Sequence, residues 1–226
     1  MPEFQFQTPD GPLRIDLRQL IVAGWTGRDA AAVQHHIDEL AALGVPAPSR
    51  VPVYYRGGCE LLTQAGAISV LGAATSGEAE PMVIADADGT LWLGLASDHT
   101  DRELEAVSVA KSKQICPKPM ASELWRFDTV QAHLDSLRLQ SEIEEPGTAE
   151  PVPYQSGSLA SIRPLPDLIA GLPGGRLAPG AAMLCGTLPV IGGIRPATRF
   201  RMSLHDPITG KTIAADYGIT SLDVVS

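Results

Sequence analysis

Two apolar runs, residues 78–85 and 90–96, flank the tetrapeptide Asp86-Ala87-Asp88-Gly89. Asp at the first turn position and Gly at the fourth suit a type I turn whose Gly takes the left-handed conformation, the common three-residue hairpin loop. The two runs are therefore read as an antiparallel hairpin with Asp86 opposite Thr90. Counting outward, Glu80 faces Ala96 and Glu78 faces Asp98. Alternate residues of a strand share a face, and a directly opposite residue shares it too. Glu78, Glu80 and Asp98 are thus expected together, with small Gly94 and Ala96 leaving room beside them. A register slip of one would send Asp98 to the other face, although it lies at a strand end where the chain can turn.

Three carboxylates this close repel one another. In a partly dry site they bind protons or a cation. Oxygen-only donors suit a hard divalent ion, Mg²⁺ or else Mn²⁺ or Ca²⁺, and Mg²⁺ would keep waters that substrate oxygens can replace. The competing reading is a solvated acidic hairpin end.

The rest of the chain reads as short strands and turns with a few helices. The first 20 residues alternate loosely, as one or two strands. Residues 29–43 form the clearest helix, with Val33, Ile37, Leu40 and Leu43 at helical spacing and Gly44 and Pro46 to end it. Residues 51–55 read as a strand. A second helix is expected from about residue 101, with Thr100 and Glu103 as its capping box. Residues 122–144 are partly helical, 144–154 a Pro-rich loop, and the last third short strands between tight turns. Frequent Gly (22) and Pro (19) with 5% aromatic residues favour this over a helical bundle. Neither side of the Pro-rich loop looks self-sufficient, so residues 1–226 are read as a single domain.

The formal charge of −9 argues against a general nucleic-acid partner. No apolar run is long enough to span a bilayer. The N-terminus lacks the pattern of a signal peptide. Cys59, Cys116 and Cys185 are too scattered for a disulfide framework or a zinc site and read as buried apolar groups. A cytoplasmic setting is the simplest expectation.

Glu78-Ala79-Glu80 followed by Ser97-Asp98-His99-Thr100-Asp101-Arg102 resembles the fumarylacetoacetate hydrolase superfamily, whose members carry Glu-x-Glu on a strand and then an Asn-Asp-x-Ser/Thr-x-Arg-like segment. The gap from Glu80 to Asp98 is shorter than usual, as if a tight turn replaced a helical insert. Residues 44–57, 110–119, 152–169 and 177–193 resemble further family segments in the expected order, so the likeness spans roughly residues 20–215. Departures are Ala181 where an Asp follows Pro-Gly, Leu188 interrupting Gly-Thr-Pro, and Arg56-Gly57 where Lys-Pro is common.

The resemblance implies a mixed α/β (α+β) fold: a β-rich roll like the C-terminal domain of fumarylacetoacetate hydrolase, with peripheral helices, usually as a homodimer. It implies that Glu78, Glu80 and Asp98 hold Mg²⁺ or a similar ion. It also implies a catalytic dyad of His36 and Glu39, which share a helix face at i and i+3; His35 with Asp38 or Glu39 is the alternative, and a solvated polar face the bland one. Lys111 or Lys113 would steady an enolate or a substrate carboxylate, or merely complement a helix C-terminus. Arg102, Tyr55, Gln155 and Thr187 are substrate-binding candidates. Arg102 has a structural alternative in pairing with Glu78 or Glu105, Gln155 and Thr187 have one in satisfying turns, and Tyr54 and Tyr55 point to opposite faces. His99, His133 and His205 read as structural or exposed.

The expected activity is metal-dependent hydrolysis of a carbon–carbon bond in a small β-dicarbonyl or acylpyruvate-like 2-oxo acid. The alternatives are decarboxylation, tautomerisation or dehydration on the same metal site, a non-catalytic keto-acid-binding protein, and an acidic structural protein with no metal site.

Overall fold

A computed structural model describes residues 2–42 and 47–225, leaving the side chains of His36, Glu39 and Leu40 outside the description. Two large sheets form its frame. The first has six strands in the order Trp125–Arg126, Leu91–Ser97, Ala79–Ala85, Ala181–Leu184, Gln19–Gly24 and Val53–Gly57. The second has five, in the order Pro151–Ser158, Arg138–Glu144, Arg199–His205, Thr212–Leu222 and Ala67–Leu71. Short helices lie around them, giving the mixed α+β, β-rich roll that was expected.

The six-stranded sheet is covered on both sides. Val83, Leu93 and Leu95 share one core with Leu139, Ile143, Phe200 and Tyr217 of the second sheet. Met82, Ile84 and Trp92 belong to another, with Phe6 and Ile15 of an N-terminal hairpin, Glu3–Thr8 with Gly11–Asp16. Double coverage explains why all seven residues of Ala79–Ala85 are buried and why the strand reads as a continuous apolar run.

The central hairpin has the expected register. Glu80 pairs with Ala96, and the Asp98 N–H donates to the Glu78 carbonyl at 2.9 Å. The turn closes through the Gly89 N–H to the Asp86 carbonyl, with Gly89 at φ +84°. Asp86 also accepts from the Asp88 and Thr90 N–H groups and from the Trp92 indole, so one side chain fixes the loop and its first pair. Gly94 does not open space beside the carboxylates, as its small size suggested. A Cβ there would stand 2.7 Å from Leu124 Cδ2, so the room is filled by that side chain.

The first helix is Ala30–Ala42, capped by the Asp29 carboxylate, which accepts from the Ala31 and Ala32 N–H groups. Its expected end at Gly44 and Pro46, and Leu43 of its stripe, lie outside the described residues. The second helix is two, Arg102–Val107 and Val109–Ile115, broken where Ser108 is extended (φ −160°, ψ 106°). Its cap is Asp101, whose side chain accepts from the Leu104 N–H at 2.8 Å, not Thr100. Thr100 is held extended by pairing with Ser76 in a two-stranded ladder, which commits its backbone one residue before the helix begins. Residues 151–154, read as part of a loop, open the strand Pro151–Ser158. The last third contains an eleven-residue strand, Thr212–Leu222, longer than its turn-rich composition suggested. Among the described residues no helix is long and apolar enough to cross a membrane.

Candidate metal centre

One ligand oxygen from each of Glu78, Glu80 and Asp98 lies within 4.8 Å of the others. The hairpin supplies all three: Glu80 within its first strand, Glu78 just before it and Asp98 just after its partner. The second sheet holds this end in place. The Tyr217 hydroxyl bonds Ser97 Oγ at 2.8 Å and His99 Nδ1 at 3.0 Å, gripping both neighbours of Asp98. Gln155 accepts from the Ala79 N–H and Ser141 Oγ, and donates to Thr187 Oγ1 and the Leu188 carbonyl. Thr187 in turn donates to the Ala79 carbonyl. The amide of Gln155 and the hydroxyl of Thr187 are therefore spent on positioning the Glu78–Glu80 backbone. These bonds follow the structural alternative for both residues rather than substrate contact.

Glu80 Oε2 accepts the Gly186 N–H at 2.7 Å. Gly186 sits at φ +100°, and a Cβ there would fall 1.6 Å from Thr26 Oγ1, so only glycine brings this amide to the carboxylate.

Three cations surround the acids. Lys113 Nζ lies 2.8 Å from Asp98, 3.2 Å from Glu78 and 3.3 Å from Glu105, and also donates to Thr100 Oγ1. Lys118, wholly buried, lies 2.9 Å from the other Asp98 oxygen and donates to the His99 carbonyl. Arg102 pairs with Glu78 at 3.1 Å and Glu105 at 2.6 Å, and its Nε donates to Ser76 Oγ. Of the two lysines left open by spacing, Lys113 reaches the cluster and Lys111 is exposed. Lys118 was missed. Its only sequence signal is a lysine between Pro117 and Pro119, which reads as a loop residue.

Burial, with Asp98 and Glu78 beside it, pushes the Glu80 carboxyl well above the usual range, against the Gly186 amide. Burial also opposes ionisation of Asp98, but the Lys113 and Lys118 charges outweigh it and hold that carboxyl down to about 2. Burial works against the Lys113 charge too, yet Asp98, Glu78 and Glu105 together raise its pKa well above the ordinary value. With Glu80 protonated, Glu78, Asp98 and Glu105 balance Arg102, Lys113 and Lys118. Both Asp98 oxygens are buried, and each is met by a lysine ammonium. An oxygen-only donor set with one member driven toward its protonated form fits a hard divalent ion.

His99 is enclosed between Tyr217 and Thr75, and burial, then Lys118 and Arg102, lower its pKa to about 3, so the ring is neutral and structural. His133 bonds Asp206, and His205 bonds Thr212. The dyad expected at His36 and Glu39 lies outside the described side chains, while His35 and Asp38 are exposed. Tyr54 donates to the Leu168 carbonyl, whereas Tyr55 lines a cavity beside Glu105. All three cysteines are buried and free, with thiols pushed up by burial.

Comparison with solved structures places this fold among known ones. A proposed fumarylpyruvate hydrolase from Burkholderia cenocepacia matches with TM-score 0.66 and 18% identity, over 98% of this chain and 96% of its own. A 2-keto-3-deoxy-D-arabinonate dehydratase, solved with magnesium and 2,5-dioxopentanoate, matches with TM-score 0.65 and 15% identity over 95% and 78%. The protein Cg1458 matches with TM-score 0.63 and 13% identity over 98% and 99%. At these identities the likeness establishes the fold alone. No curated protein matches it. The family model described as protein of unknown function (DUF2848) matches residues 23–217, and the chain belongs to that family.

Proposed function

We propose that the chain is a divalent-metal-dependent enzyme acting on a small 2-oxo acid, with Glu78, Glu80 and Asp98 holding Mg²⁺ or a comparable ion. The observation that carries this reading is the convergence of three carboxylate oxygens at one buried hairpin end. Support of a second kind comes from a structural neighbour that binds magnesium together with a dioxo acid. A divalent ion held here would polarise the substrate carbonyl and stabilise negative charge developing on it.

The chain's own residues do the rest. Lys113 places a fixed positive charge beside Glu78 and Asp98, where it favours an oxyanion. Lys118 fixes the orientation of Asp98, and Arg102 fixes Glu78 and Glu105. The second sheet closes one side to water through Tyr217 and Gln155.

Dehydration, decarboxylation or tautomerisation uses this electron sink and a proton carrier, without a base to activate water. These reactions are the preferred reading. Hydrolysis of a carbon–carbon bond also needs a base to activate water. His36, oriented by Glu39, is the candidate for it, and the likeness to a proposed fumarylpyruvate hydrolase favours this second reading. A cytoplasmic homodimer without nucleic-acid partners is the setting that accompanies both.

The test is incubation of Mg²⁺-loaded protein with oxaloacetate, an acylpyruvate and a 2-keto-3-deoxy sugar acid, following products by NMR. Release of CO₂, enol–keto exchange or loss of water is expected. Two acids from the acylpyruvate would favour the hydrolytic reading. Metal-dependent binding of the acids without turnover would make the chain a binding protein, and neither binding nor turnover would contradict the whole reading.

A further inference from the structure

Tyr55 and Glu105 line a cavity of about 220 Å³, and its wall residue Glu105 contacts Lys113, which in turn contacts Asp98 and Glu78 of the carboxylate cluster. Its walls combine apolar Val53 and Val109 with the hydroxyls of Ser49, Ser108 and Tyr55. Among the described residues it is lined by no lysine or arginine; its one charged wall residue is Glu105. The cations behind that wall are committed. Each arginine nitrogen of Arg102 faces Glu105, Glu78 or Ser76, and Lys113 is divided among Glu78, Asp98, Glu105 and Thr100.

Resting on the 2-oxo acid reading above, we propose that this cavity receives the distal end of the substrate and selects an uncharged, hydroxyl-bearing chain over one ending in a second carboxylate. The hydroxyls of Ser49, Ser108 and Tyr55 offer partners to a distal alcohol, the valines pack its methylenes, and Glu105 repels a distal acid.

The test compares two acids of equal length, 5-hydroxy-2-oxopentanoate and 2-oxoglutarate, titrated calorimetrically into Mn²⁺-loaded protein. The hydroxy acid is expected to bind at least about ten-fold tighter, and Glu105→Gln to shrink that ratio by relieving the repulsion. The wild-type ratio decides the matter even where the variant is poorly folded. Equal or tighter binding of 2-oxoglutarate overturns this inference alone. A folded Glu105→Gln protein with an unchanged ratio removes Glu105 as the cause and overturns it too. If neither acid binds the metal-loaded chain, the 2-oxo acid reading itself falls, and this one with it.

Discussion

Lys118 shows how much one side chain can owe to its surroundings. An ammonium group with no solvent exposure is tolerated because Asp98 and the His99 carbonyl meet it. Replacing it with Met keeps the volume but leaves Asp98 with Lys113 as its remaining cation. Such a loss is expected to destabilise the fold by about 3 kcal/mol, the scale for breaking a buried ion pair. Denaturant unfolding of Lys118→Met measures this; stability equal to wild type would show that the pair adds nothing. Lys111→Ala, at an exposed position, should leave stability unchanged. Spacing did not separate Lys111 from Lys113, and Lys118 was missed, because all three belong to one short segment, a helix followed by the two-residue strand Lys118–Pro119. Their difference in burial arises from how that segment folds back onto the hairpin. Arg102 was legible as a pairing residue because Glu105 follows it at i+3 on a helix.

The hairpin is the element on which the site depends, and it was the most legible part of the chain. Asp86 and Gly89 determine the turn, the turn determines the register, and strand parity then gathers Glu78, Glu80 and Asp98. What supports the hairpin was not legible. Gln155 and Tyr217 come from strands 76 and 120 residues away along the chain from Ala79 and Ser97, and only the packing of two sheets brings them there. The Thr100 cap failed for a related reason, since its ladder partner Ser76 lies outside the local capping pattern. Gly186 is a support that substitution can test. Gly186→Ala forces a β-carbon into Thr26 and an L side chain into positive φ. The expected cost is about 3 kcal/mol, from strain and overpacking together. A melting temperature unchanged in this variant would contradict the close approach of the Gly186 amide to Glu80.

Across the whole molecule beyond the carboxylate cluster, two buried groups tie stability to pH. The folded His99 has a pKa of about 3 against an ordinary value of 6.5, so as pH falls below 6.5 the unfolded chain binds a proton that the fold refuses. Asp206 acts further into acid. Burial opposes its ionisation, but Thr209, His133 and the Ile208 and Thr209 amides outweigh this and hold it at about 2 against 3.8. Stability contributed by both is therefore present above the unfolded pKa and lost on acidification, first from about pH 6.5 down to 3 and then from about 3.8 down to 2. Each proton contributes a slope of up to about 1.4 kcal/mol per pH unit. In Glu80→Gln, which removes the opposing titration of the Glu80 carboxyl, thermal melts between pH 7 and pH 4 should show a steady decline, and a flat profile would contradict the enclosed, neutral His99. The roll architecture itself was legible through family-like segments in order, while the length of Thr212–Leu222 was not, because its buried residues answer to Arg199–His205 across the sheet.

The most direct measurement is calorimetric titration of Mn²⁺ into the wild-type chain and Glu80→Gln. Gln mimics the protonated carboxyl that burial favours at this position and can still accept the Gly186 amide, so the variant should melt like the wild type. The expected result is one Mn²⁺ per wild-type chain and affinity at least about 100-fold weaker in the variant, more than the loss from removing an outer-shell partner. Absence of Mn²⁺ binding to the wild type, or equal affinity in both proteins, would contradict a metal centre at Glu78, Glu80 and Asp98.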